Sequence, residues 1–148
     1  MLSRWIVRIV LGVVALFVVA IALAIWTEVT TVHTGIARTP ADSEVNGLPE
    51  DATDIRWRLP HVLEPYTMYD FATSPESFQA WVASQQIDGL EGPFSGPGRI
   101  VVYDARSDSS DYREFSDAIK YSWYEEDRGI EMLYDSIGGR AYYFSHSR

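Results

Sequence analysis

The sequence predicts an α+β fold: an N-terminal transmembrane helix followed by a small antiparallel-sheet domain with one main packed helix. Three observations carry that prediction. Ile9 to Trp26 is a run of 18 residues with no charged side chain. Much of the remainder consists of short segments that alternate apolar and polar residues or end in turn-forming pairs, as strands and hairpins do. One segment, Thr73-Ser-Pro-Glu76 ahead of Phe78, Trp81 and Val82, joins a helix-start signal to a helical apolar spacing.

The first element follows from length. At about 1.5 Å per residue an 18-residue helix covers roughly 27 Å, close to the hydrocarbon thickness of a bilayer. Trp5 and Trp26 bracket the run, where indole rings favour the membrane–water boundary. Arg8 lies one turn inside Trp5, and its stem is long enough to return the guanidinium to the headgroups. Gly12 has no partner for a Gly-x-x-x-Gly pairing face. Ala22-Leu23-Ala24 also fits a signal-peptidase site, so a cleaved signal is the alternative; the apolar run exceeds the roughly 7–15 residues of a signal core and favours a retained signal-anchor. Arg4 and Arg8 precede the span and Glu28 follows it, which sets the N-terminus in the cytoplasm and residues 27–148 outside. The expected location is the cell membrane, single-pass, with the lipid bilayer as first partner. Eleven of the 12 basic residues are Arg, a skew that fits a bacterial chain.

Residues 1–26 thus form the membrane segment, and 27–47 read as a Thr-rich linker or stalk. Gly35, Pro40, Asn46 and Gly47 break any period there, and the segment holds no aromatic residue. The expected domain is 48–148. Thr53 to Leu59 alternates, with Ile55, Trp57 and Leu59 on one face and Asp54, Arg56 and Arg58 on the other. Pro60 ends this strand, and Tyr66 to Ala72 reads as its antiparallel neighbour. The helix capped by Thr73 or Ser74 is expected to stop near Gln86. Gly89 to Gly98, with four Gly and two Pro, reads as an irregular loop. Ile100 to Tyr103 is a short strand, Asp104 to Asp111 a polar loop, and Tyr112 to Ala118 a brief helical turn. Ile119–Glu126 and Gly129–Ser136 make a hairpin about Asp127-Arg128, and Gly138-Gly139 turns the chain into Arg140–His146, giving a three-stranded meander.

The chain carries 12 basic and 21 acidic residues and a net charge of -9. Only the two basic residues Arg4 and Arg8 fall in the head, so 27–148 carries -11. An acidic body is a poor match for phosphates and excludes nucleic acid as a partner. The absence of Cys removes disulfides, thiolate metal sites and Cys nucleophiles. Gly-x-Ser-x-Gly fails because Pro93 stands two before Ser95, and Ser-x-x-Lys fails because Asp117 stands three before the only Lys, Lys120. Phosphate-cradling and dinucleotide fingerprints are missing. His33, His61 and His146 lie in three separate contexts, and Asp104, Asp108, Asp111 and Glu114 miss the register of a calcium loop. No catalytic residue, metal ligand or cofactor is therefore assigned.

The aromatics are more informative. Tyr121, Trp123 and Tyr124 set rings on both faces of one strand, and Tyr142, Tyr143 and Phe144 do so on another, so either both faces are covered or one is a binding surface. These six are the candidate binding surface, and Trp5, Arg8 and Trp26 the membrane anchor. The function expected is a non-enzymatic binding or regulatory module displayed outside the cytoplasm, with an envelope protein or glycan as partner. The alternatives are an immunity- or inhibitor-type protein for a basic partner, and a hydrolase with an unfamiliar carboxylate site near Gly89–Gly98.

Overall fold

A computed structural model of the chain describes residues 4–30, 32–59, 65–104 and 109–147. Helix α1 (Arg4–Thr30) is followed by strands β1 (His33–Ala37), β2 (Thr53–Leu59) and β3 (Tyr66–Ala72), helix α2 (Pro75–Ser84), and strands β4 (Glu91–Asp104), β5 (Ser109–Glu125), β6 (Arg128–Asp135) and β7 (Arg140–Ser147). The described strands form one antiparallel sheet of order β1-β2-β3-β7-β6-β5-β4. The class is α+β, as the sequence predicts. Two meanders, β1-β2-β3 and β4 to β7, join where β3 pairs with β7 along its whole length, from Tyr66↔His146 to Ala72↔Arg140.

The periodic segments form where expected. On β2, Ile55 and Trp57 are buried against the helix side of the sheet. Helix α2 is capped by Ser74, whose hydroxyl accepts the Ser77 N–H at 3.1 Å, with Pro75 at its first position. Asp51 braces that corner by accepting from the Thr73 hydroxyl at 2.8 Å and the Ser74 N–H at 3.2 Å. The helix ends on Gln85, and Gln86 takes the left-handed conformation (φ 51°) that turns the chain away. Phe78, Trp81 and Val82 are buried against Ile55, Phe71, Met132, Tyr134 and Ala141. Each such apolar side chain contributes about 1.5–3 kcal/mol relative to exposure.

Five expectations are corrected. Residues 33–37 are not stalk: they form β1, paired from His33↔Leu59 to Ala37↔Ile55, and Ala37 and Val45 lie in the core. The β-branched residues after Trp26 favour strand once the helix has gone one turn beyond it. Gly35 is required there, because the Trp57 indole lies where any Cβ would stand. Gly89 to Gly98 is not an irregular loop: from Glu91 it is the first half of β4. Its register shifts at Glu91/Phe94 and Gly96/Gly98, so Gly and Pro occupy bulges on an edge strand, where a missing N–H breaks no ladder. Tyr112 to Ala118 is not a helical turn but part of β5, and Ser109 to Asp111 belong to the same strand rather than to a loop. The β5–β6 hairpin turns about Glu126-Asp127, one residue earlier than expected, with Glu126 at φ 50° and Glu125 facing Arg128. His61 and Asp108 lie outside the described residues.

The β4–β5 hairpin is longer than the sheet that carries it. Strand β6 pairs only with Ala118 to Glu125 of β5, whereas β4 follows β5 to Asp104↔Ser109. The part beyond β6 is an arm, and the bulge at Gly96/Gly98 sets its bend. It packs over the sheet face opposite α2. Ile100 is fully buried with Ala118, Leu133 and Tyr142. The Phe115 ring lies 5.0 Å from that of Tyr142, and Arg58 of β2 stacks over Tyr103 at 5.4 Å. The sheet is therefore covered on both faces, by α2 and by the arm.

Candidate functional site

The arm does not close completely on the sheet. A cleft of about 680 Å³ remains between them. Its sheet wall is Arg58 of β2, Tyr66 and Met68 of β3 and Phe144 of β7, with Pro65 beside them. Its arm wall is Val101 of β4 and Ser109 to Tyr112 of β5. Arg58, Met68 and Phe144 are cross-strand neighbours in one row, which Thr34 of β1 continues. The cleft thus belongs to the end of the sheet at which α1 joins β1.

Met68 is buried, while Tyr66 and Tyr112 are 42% and 64% exposed. The walls are a mixture: apolar rings and aliphatic groups, two serines, and one ionisable side chain of each sign, Arg58 and Asp111. Asp111 accepts the Tyr112 N–H at 2.7 Å, which fixes its carboxylate on the arm. Among the described residues no carboxylate pair faces this cavity, and its lining offers both apolar contact and polar groups to a ligand.

The charged centre of the sheet lies elsewhere. Asp70 of β3 is only 4% exposed. Its Oδ1 accepts from Arg56 Nε and Nη2 at 3.0 and 2.8 Å and from Arg140 Nε. Arg140 continues to Asp54, through Nη1 to the carboxylate at 2.7 Å and Nη2 to the carbonyl at 2.5 Å. Asp54 holds φ at 47° in the β2 bulge, a conformation Asp tolerates better than most residues. Burial raises the Asp70 carboxyl, with the Arg140 and Arg56 charges pulling the other way. Both guanidiniums are spent on this carboxylate, which makes the cluster a clasp across β2, β3 and β7 rather than an acid–base pair. Among the described residues, no group of three or more His, Asp or Glu side chains is set to hold a metal ion.

The six rings singled out from the sequence disperse. Tyr121 lies on the α2 face 6.1 Å from Phe78, and Trp123 lies on that same face of β5 against Gly89. Tyr143 stacks on Tyr69 at 4.5 Å and meets the edge of Trp81 at 6.2 Å. Burial, then Tyr143, pushes the Tyr69 phenol well above its ordinary value. Tyr142 is buried beneath the arm, its hydroxyl accepting from Arg113 at 3.4 Å. Phe144 lines the cleft, stacked on Tyr66 at 6.1 Å and on His146 at 5.7 Å. Tyr124 is 58% exposed, and its hydroxyl donates to Glu131, which also pairs with Lys120 at 2.9 Å. Burial, then that bond to Glu131, raises the Tyr124 phenol.

No protein-family model, curated protein or solved structure matches the chain. The site is therefore read from its own chemistry. Sequence reasoning missed Tyr66, Met68, Val101 and Tyr112 as site residues. The strands bearing Tyr66 and Met68 were legible, but nothing in the local pattern of 98–117 announces an arm that folds back over them. Of the proposed anchor residues, Trp5, Arg8 and Trp26 are all on α1, with their side chains exposed.

Proposed function

We propose that this chain is a single-pass membrane protein that displays an acidic α+β domain outside the cytoplasm, and that the domain is a non-enzymatic binding module. The observation that carries the reading is the pairing of a wholly exposed apolar helix with a cleft at the end of the sheet nearest to it. Arg8–Thr27 has a mean hydropathy of 3.0 and none of it is buried by the domain. A soluble core helix would be covered, because leaving so much apolar surface in water costs about 25 cal/mol per Å². Exposed Trp5 and Trp26 at the two ends suit the two interfaces, and Arg4 and Arg8 on the N-terminal side favour a cytoplasmic N-terminus. The cleft favours binding over catalysis in this reading, since its described lining offers apolar contact and hydrogen-bonding hydroxyls, with no proton-transfer pair among the described residues. The partner class is a component of the envelope in which the anchor holds the domain.

Membrane extraction with alkaline carbonate, followed by N-terminal sequencing of the mature chain, tests the anchor. Retention in the membrane pellet with Met1 or Leu2 as first residue is the expected result. Release into the supernatant with a new terminus near Ala24 would identify a cleaved signal and overturn it.

A further inference from the structure

The connection between α1 and the sheet is short. Thr27 closes the apolar span, α1 ends at Thr30, and β1 begins at His33. Even were the chain fully extended after Thr30, the six residues 28–33 would reach roughly 15 Å at most. The interfacial layer of one leaflet is itself about 5–8 Å deep. An anchored domain is therefore held with the α1 end of its sheet at the headgroups. The row containing Thr34 also contains Arg58, Met68 and Phe144, so the cleft begins one residue inside that end. The exposed rings of Tyr66 and Tyr112 flank it on opposite walls, and tyrosine is a side chain that favours the membrane interface.

We infer that the cleft takes an acyl chain of a bilayer lipid, entering between Tyr66 and Tyr112 to contact Met68, Val101 and Phe144. This inference rests on the membrane-anchor reading. It commits to lipid because the cleft is tethered at the headgroups, within reach of an acyl chain leaving the leaflet below, whereas a soluble ligand would gain nothing from that position. The headgroup class follows from charge. The β5–β6 turn at the same end carries Glu125, Glu126 and Asp127 beside Arg128, while Arg58 lines the cleft and Arg99 lies over the Tyr112 ring, so the end presents both signs and suits a zwitterionic phospholipid as the occupant.

The full chain in phosphatidylcholine nanodiscs, doped with a phosphatidylcholine that carries a diazirine near the end of one acyl chain, gives the test. Irradiation and peptide mass spectrometry are expected to find adducts on α1 and on the segments bearing Met68, Val101 and Phe144. Val101→Trp, which fills the cleft, removes the domain adducts and leaves those on α1. Tyr112→Glu, at a 64% exposed position where only the stacking of Arg99 over the ring is exchanged for a Glu–Arg pair, lowers them too and decides the matter if the Trp variant misfolds. Adducts confined to α1 would overturn the inference while the anchor stands. Adducts around Tyr124 without those of the cleft would mean surface apposition and would also overturn it. A lack of adducts on α1 itself would remove the anchor and the inference together.

Discussion

Asp70 carries the least replaceable charge in the domain. It lies among three strands with Arg56 and Arg140 on one carboxylate oxygen, and Arg140 is itself nearly buried at 12% side-chain exposure. Removing the carboxylate strips Arg56 and Arg140 of their shared buried acceptor and leaves Arg140 with only the exposed Asp54 as counter-charge. Asp70→Ala is expected to destabilise the domain by about 3–5 kcal/mol, read as a lower urea midpoint at unchanged slope. Arg56→Ala should cost less, because Arg56 is 31% exposed and Arg140 keeps its bond to Asp70. Gly35 is a second sensitive position. Gly35→Ala drives a methyl into the Trp57 ring and is expected to cost about 1–3 kcal/mol in the same assay. Neither role was legible locally. Arg56 and Asp70 each read as ordinary polar-face residues of a strand, and only the pairing of β2 with β3 and β7 brings them together.

At the scale of elements, the segments that the sequence revealed are those whose partners are repetitive. Strand β2 alternates because one side faces α2 and the other faces polar partners. Helix α2 announces itself through Ser74 and Pro75, whose effects are local. Strands β1 and the first half of β4 were hidden for a different reason. Each is an edge strand completed by a neighbour, and Gly and Pro sit where bulges or the Trp57 ring demand them. The arm was hidden because Ser109 to Glu114 is exposed on both sides and so shows no alternation. The start of α2 makes a testable unit. Ser74→Ala is expected to lower stability by about 1 kcal/mol. Burial pushes the Asp51 carboxyl up, but the hydrogen bonds from Thr73, Ser74 and Ser77 outweigh it and hold the group below its ordinary value. The unfolded chain therefore binds this proton more readily. The stabilisation is present above the ordinary Asp value and is lost as pH falls through the lowered one. Thermal melts at falling pH should show wild type losing stability relative to Asp51→Asn; parallel melts at every pH would contradict this.

At the scale of the whole molecule, the net charge of -9 combines an apolar, basic helix with an acidic sheet domain that buries Asp70 and gathers most of its aromatic rings into two cores. The stalk expected between them shrinks to a few residues, and the cleft lies at the end of the sheet that α1 joins. The absence of Cys makes the topology directly measurable, since any introduced thiol is the only one. Ile137 is 75% exposed in the β6–β7 turn, so its replacement uncovers no core. The deciding experiment compares Ile137→Cys with Ser3→Cys in intact cells treated with a membrane-impermeant maleimide, with membranes then pelleted in alkaline carbonate. The account predicts a pelleted protein labelled at position 137 and protected at position 3. Labelling at position 3 with protection at 137, or a chain recovered in the soluble fraction, would contradict it.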